Sequence, residues 1–118
     1  MTKKESIIRD KSYKFALKII ELYQTLCEQR EFVISKQLLK SGTSIGANVE
    51  EATAAQSRKD FISKMSIASK EARETNYWLR LLKDSKMCNG INLHNYLDES
   101  EEIIKIITAI VKTSQIKS

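Results

Sequence analysis

The residues in this sequence whose types and spacing could do chemistry are mostly cations. Lys11, Lys14 and Lys18 recur at steps of 3 and 4, which places them on one face of a helix. Lys59, Lys70, Arg73, Tyr77 and Arg80 share a face of a later helix, with Arg58 and Lys83 close by. Like charges at this spacing repel by a few tenths of a kcal/mol, so neither row helps its own helix. A phosphate backbone would be attracted to either row, and the Tyr77 ring offers a base a stacking surface. Solvated helix faces with a basic bias have the same pattern, and that reading stands beside the binding one.

Catalytic groups are scarce. The one histidine, His94, falls on the first turn of a helix. A di-iron bundle site needs a Glu-x-x-His motif from each of two helices, and residue 91 is Ile. Gly42 and Gly46 lack the Lys-Ser/Thr that completes a phosphate loop, and no strand precedes them. Glu71 and Glu74 share a helix face, as neighbours of Glu50 and Glu51 do, but carboxylates so spaced usually face solvent. The expectation is a protein that is not an enzyme, with no catalytic residue, cofactor or metal. Cys27 and Cys88 lie far apart without nearby ligand partners and read as thiols in a reducing cytoplasm.

The elements that must position these side chains follow from the apolar pattern. A chain of 118 residues has room for one domain. It has no proline and three glycines, too few turn residues for a sheet protein. With 42% hydrophobic and 30% charged residues it fits neither disorder nor a membrane span. The start, Met1 to Ile8, is too charged and its apolar part too short for a secretory signal, so a soluble cytoplasmic protein is expected. The net charge is +5, and residues 57–90 hold eight Lys/Arg against four Asp/Glu. The run Asp98-Glu99-Ser100-Glu101-Glu102 gives the last segment an acidic start.

Four helices are expected, over about residues 11–29, 34–55, 58–84 and 93–114, all within one domain spanning 1–118. The first starts after Asp10 or Ser12, either of which can cap it, and carries apolar rows from Phe15 to Leu26. In the second, Ile34, Leu38, Gly42, Ile45, Val49 and Ala52 keep an unbroken phase through Ser41 to Gly46, where local propensity alone suggests a loop. Ser57 to Asp60 resembles a capping box ahead of the third helix. There Phe61, Met65, Ala68, Ala72, Thr75, Leu79 and Leu82 form a sustained heptad. Asn89-Gly90 marks the following turn, and Asn92 caps a fourth helix with Leu93, Tyr96 or Leu97, Ser100, Ile103, Ile107, Ile110 and Ser114 inward. Short loops between such helices favour an all-α, antiparallel up-down-up-down four-helix bundle on the order of 30–40 Å long.

Two features of these helices point to close helix contacts or to contacts between subunits. Gly42 and Gly46 leave one side of the second helix bare, so another backbone can approach, with a loop at 41–44 as the alternative. A polar row of Gln37, Ser41, Ser44, Asn48 and Glu51 lies beside the apolar one and suits hydrogen bonding across an interface or plain exposure. Trp78 sits one position off the third helix's core row, as an interface anchor or a residue at the edge of the core.

The stretch from Ser35 to Ala52, with Ser41-Gly42-Thr43-Ser44-Ile45-Gly46-Ala47-Asn48-Val49-Glu50-Glu51, resembles the signature of a bacterial four-helix bundle family. Its members are encoded within intervening sequences of 23S ribosomal RNA genes and were once classed as ribosomal proteins. A second block, Asp60-Phe61-Ile62 through Lys70-Glu71-Ala72-Arg73-Glu74-Thr75-Asn76-Tyr77-Trp78-Leu79, is equally similar, and the resemblance runs from about Lys11 through nearly the whole chain. It implies a homopentamer of antiparallel bundles. It extends to the accessory variability protein of diversity-generating retroelements, a relative that binds nucleic acid and a reverse transcriptase.

The expected function is therefore a homo-oligomer, with a pentamer favoured, that binds RNA or DNA non-specifically through basic helix faces. The alternative is a structural or protein-interaction scaffold, for example an accessory partner of a reverse transcriptase, with no nucleic-acid affinity of its own. The candidate nucleic-acid residues are Lys11, Lys14, Lys18, Arg58, Lys59, Lys70, Arg73, Tyr77, Arg80 and Lys83. The candidate oligomer or helix-interface residues are Ser41, Gly42, Ser44, Gly46, Asn48, Glu51 and Trp78.

Overall fold

A computed structural model describes residues 1–88 and 90–117, which form four helices in the order α1 (Lys3–Glu28), α2 (Ile34–Thr53), α3 (Arg58–Asp84) and α4 (His94–Lys117). Consecutive helices are neighbours and α1 closes the ring against α4, so the chain is an antiparallel up-down-up-down bundle of 46 × 20 × 20 Å. The α2/α3 seam is the most extensive and the α1/α4 seam the least.

Helix α1 starts well before residue 11. Thr2 accepts a hydrogen bond from the Glu5 amide at 3.1 Å, and Glu5 places a carboxylate in the first turn. The extension buries Ile8, which begins the inward row Ile8, Ser12, Phe15, Ile19, Leu22 and Leu26. The inward row thus reaches two steps further back than Phe15, through Ser12 to Ile8. At the other end, Glu31 donates its amide to the Leu26 carbonyl and Arg30 to that of Cys27, a Schellman-type stop. Arg30 takes the left-handed position there, at φ 65°, where glycine is usual.

Helix α2 begins without a side-chain cap from Val33. Glu31 supplies one instead: its carboxylate accepts from the Ile34 amide at 3.0 Å and the Ser35 amide at 2.6 Å. The helix is continuous through Gly42 and Gly46, both buried. A Cβ on Gly42 would lie 2.8 Å from Ile19, and one on Gly46 would lie 3.3 Å from the Ser12 carbonyl oxygen. Bare backbone at these positions is what lets α1 lie close against α2.

Helix α3 follows its heptad, with Met65, Ala68, Ala72, Thr75, Leu79 and Leu82 buried and Ser57 accepting from the Asp60 amide at 3.0 Å. Helix α4 buries Leu97, Ser100, Ile103, Ile107, Ile110 and Ser114, while Tyr96 is half-buried. Asn92 accepts from the His94 amide at 3.0 Å, and helical bonding opens with Leu97 donating to the Leu93 carbonyl. Of the turn pair, Asn89 lies outside the described residues and Gly90 has φ 74°.

Two polar links cross the interior. Thr75 donates to Ser41 at 2.9 Å between α3 and α2, and Asn76 donates to Ser100 at 2.9 Å between α3 and α4. Among the described residues, no buried side-chain nitrogen or oxygen lacks a partner. No helix among them is long and apolar enough to cross a membrane.

Candidate nucleic-acid interface

The two basic rows have different surroundings. Lys11 makes an ion pair with Glu102 at 3.0 Å and Lys18 pairs with Glu99, both across the α1/α4 seam. Lys18 also lies 6.0 Å from the Tyr96 ring centroid. Burial raises the Tyr96 hydroxyl above its ordinary pKa; Glu21 and Glu99 add to that, and Lys18 opposes it. Lys14 has no ion-pair partner among the described residues, but it borders the same shallow groove as Asp10 and Glu99. Two of the three α1 cations thus have their fields largely cancelled by α4.

On α3, Lys59, Lys70, Arg73 and Arg80 are exposed, and none makes an ion pair among the described residues. Arg80 donates through Nε to Asn76 at 2.9 Å and lies 5.7 Å from the centroid of the Tyr77 ring. Tyr77 is 47% exposed and meets Trp78 edge-on at 5.2 Å between centroids. Arg73 reaches across to α4 and donates to Thr108 at 3.3 Å. One guanidinium, Arg80, thus lies by an open aromatic ring and the other, Arg73, spans to α4; both are held by neutral partners and neither makes an ion pair among the described residues. Arg58, read as close by this face, is the first residue of α3 and lies at the end of the bundle. There it borders a cavity of about 390 Å³ with Lys3, Lys4 and Lys117. Lys83 is exposed in the last turn of α3.

Most of the candidate interface residues on α2 serve the subunit's own interior. Ser41, Gly42 and Gly46 are buried, the first bonded to Thr75 and the two glycines against α1. Glu51 pairs with Lys64 of α3 at 3.1 Å. Ser44 donates to the Lys40 carbonyl and Asn48 to the Ser44 carbonyl within α2, and both are half-buried. Gln37 is exposed. Trp78 is half-buried against the core edge, its indole donating to Glu74 at 3.3 Å.

Sequence reasoning missed the apolar outer face of α1. Tyr13, Leu17 and Ile20 are 58%, 49% and 38% exposed, on the side away from the core. Leu17 and Ile20 fall within the apolar rows from Phe15 to Leu26, and composition alone does not separate inward from outward positions there. The steps of 4 and 3 from Tyr13 would have revealed a second stripe. Also missed were Lys3, Lys4 and Lys117 at the bundle end and Lys112 beside Arg73, because each belongs to a different segment. His94 is exposed, and no cluster of three metal-ligating side chains occurs among the described residues.

A family model described as 23S rRNA-intervening sequence protein matches residues 4–109 of the chain. Among solved structures, the chain is similar to a protein of unknown function from the S23 ribosomal protein family of Bacteroides thetaiotaomicron. The two share 50% identity and superpose with a TM-score of 0.88, over 92% of this chain and 98% of that one. No curated protein matches.

Proposed function

The chain belongs to the 23S rRNA-intervening sequence protein family, and from that premise we propose that it is a cytoplasmic, non-enzymatic homo-oligomer, a pentamer, that binds RNA or DNA without sequence preference. The observation that carries the binding is the α3 face: Lys70, Arg73 and Arg80 are exposed and make no ion pair among the described residues, and Arg80 lies 5.7 Å from the centroid of the exposed Tyr77 ring. Cations attract the phosphate backbone whatever its sequence, and an open ring stacks on any base. Repetition of one face around a ring of subunits would add weak contacts at high local concentration, so the assembly binds more tightly than one bundle.

The exposed Tyr13, Leu17 and Ile20 support self-association, since a row of large apolar groups on an outer helix face is a natural contact surface. Light scattering at micromolar concentration should report several times 13.5 kDa, with five copies expected. A monomer there contradicts the oligomer. Retention on immobilised mixed-sequence RNA at low salt, lost as salt rises, is expected for the binding reading. Assembly without such retention would instead support the scaffold.

A further inference from the structure

Between α3 and α4 lies a groove of about 240 Å³, and every polar side chain that lines it can donate a hydrogen bond. Arg73 and Lys112 supply the charge, Ser66, Ser69 and Thr108 the hydroxyls, and Gln115 an amide, with no acidic residue among them. Arg73 spends one of its five N–H groups on Thr108 at 3.3 Å, which fixes the guanidinium across the seam and leaves the Thr108 proton free to point elsewhere. Among the described residues, the Ser66 and Ser69 hydroxyls have no partner and Lys112 makes no ion pair.

We infer that this groove is a phosphate subsite, taking one phosphoryl oxyanion with Arg73 and Lys112 as its two charged donors. A tetrahedral oxyanion offers acceptors in several directions, which suits donors arriving from two facing helices. A carboxylate, with two oxygens in one plane, offers fewer acceptors to the same set of donors. The inference deepens the nucleic-acid reading, and rests on it for the natural source of the phosphate: a backbone phosphodiester seated here would fix the strand's position beside Tyr77, one turn along α3 from Arg73. A free phosphate compound has the same chemistry and is the other possible source.

The test uses the intact protein and two variants, Lys112→Gln and Lys105→Gln. Both remove one exposed cation from α4, but only the first lies in the groove. Titration with inorganic phosphate at low salt, followed by NMR, should shift Ser66, Ser69, Thr108 and the Arg73 side chain together. Lys112→Gln should weaken this binding by about fivefold or more, while Lys105→Gln changes it less than about twofold. Shifts spread over all the basic surfaces, or equal losses in the two variants, would overturn the subsite. A second titration with a short single-stranded RNA separates the sources. Movement of the same groove signals, with the same order of variants, assigns the site to the backbone. RNA binding that leaves the groove signals unmoved overturns the backbone assignment while the nucleic-acid reading survives. Phosphate binding without any RNA binding upholds the groove for a free phosphate compound and removes the nucleic-acid reading.

Discussion

Helices α1 and α3 carry basic rows of similar spacing, yet α4 treats them in opposite ways. Glu99 and Glu102, three residues apart, turn toward α1 and take up Lys18 and Lys11. Thr108 and Lys112, four apart, turn toward α3 and leave Arg73 with a hydroxyl and a second cation. These two pairs of α4 side chains therefore face different neighbours. A row of charges on one helix is a binding surface only if the neighbouring helix leaves it uncompensated. The α1 pairs are partly exposed, so each is worth about 0–1 kcal/mol to stability; their larger consequence is the cancelled field.

The comparison breaks most visibly by charge reversal. Arg73→Glu with Arg80→Glu should lower affinity for mixed RNA or DNA on the order of a hundredfold at low salt, with helix content unchanged by circular dichroism. The same reversal at Lys11 and Lys18 should cost less than about threefold in a filter-binding titration. Equal losses would mean that pairing with α4 does not decide which row binds.

A smaller effect separates folding residues from the surface. Gly46→Leu must push against the Ser12 backbone, which cannot yield as a side chain can. Its thermal stability should fall by about 1–3 kcal/mol. Binding by the folded variant should not change, because the α1/α2 seam lies away from the α3 face. An unchanged melting temperature would remove close packing as the reason for the glycine.

The smallest effect runs the other way. Glu99→Gln with Glu102→Gln releases Lys18 and Lys11, and should tighten RNA binding by about two- to fivefold while changing stability by no more than about 2 kcal/mol, up to about 1 for each pair. A decrease in affinity would show that these carboxylates support the binding surface rather than mask a second one.

The core was legible because every inward row keeps its period. The α3 heptad and the phase of α2 through Gly42 and Gly46 appear in the structure as written in the sequence. Periodicity measures a whole helix, so it outweighed the local loop preference of Ser41 to Gly46. The start of α1 was less visible, because one threonine cap and one buried Ile8 are a weak signal beside the charged residues around them. The Glu31 cap on α2 and the left-handed Arg30 use residues that are not the usual choices for those positions. For the candidate site, the α3 face was visible as a row, since all its members lie on one helix. The pairing of Lys18 with Glu99 joins residues 81 apart, and the groove joins α3 to Lys112. Such relations depend on how α4 is rotated against its neighbours, which its own sequence states only through the inward row.

The central claim is that the uncompensated α3 face, and not the paired α1 row, meets the phosphate backbone. Its most direct test is the salt dependence of RNA affinity for the parent, the α3 reversal and the α1 reversal, measured between about 50 and 200 mM salt. The parent should lose orders of magnitude in affinity over that range. The α3 variant's log-log slope should be shallower by about two, one unit for each phosphate contact removed, with the α1 variant parallel to the parent. A parent slope near zero, or an α1 variant whose slope falls as far as the α3 variant's, would contradict the account.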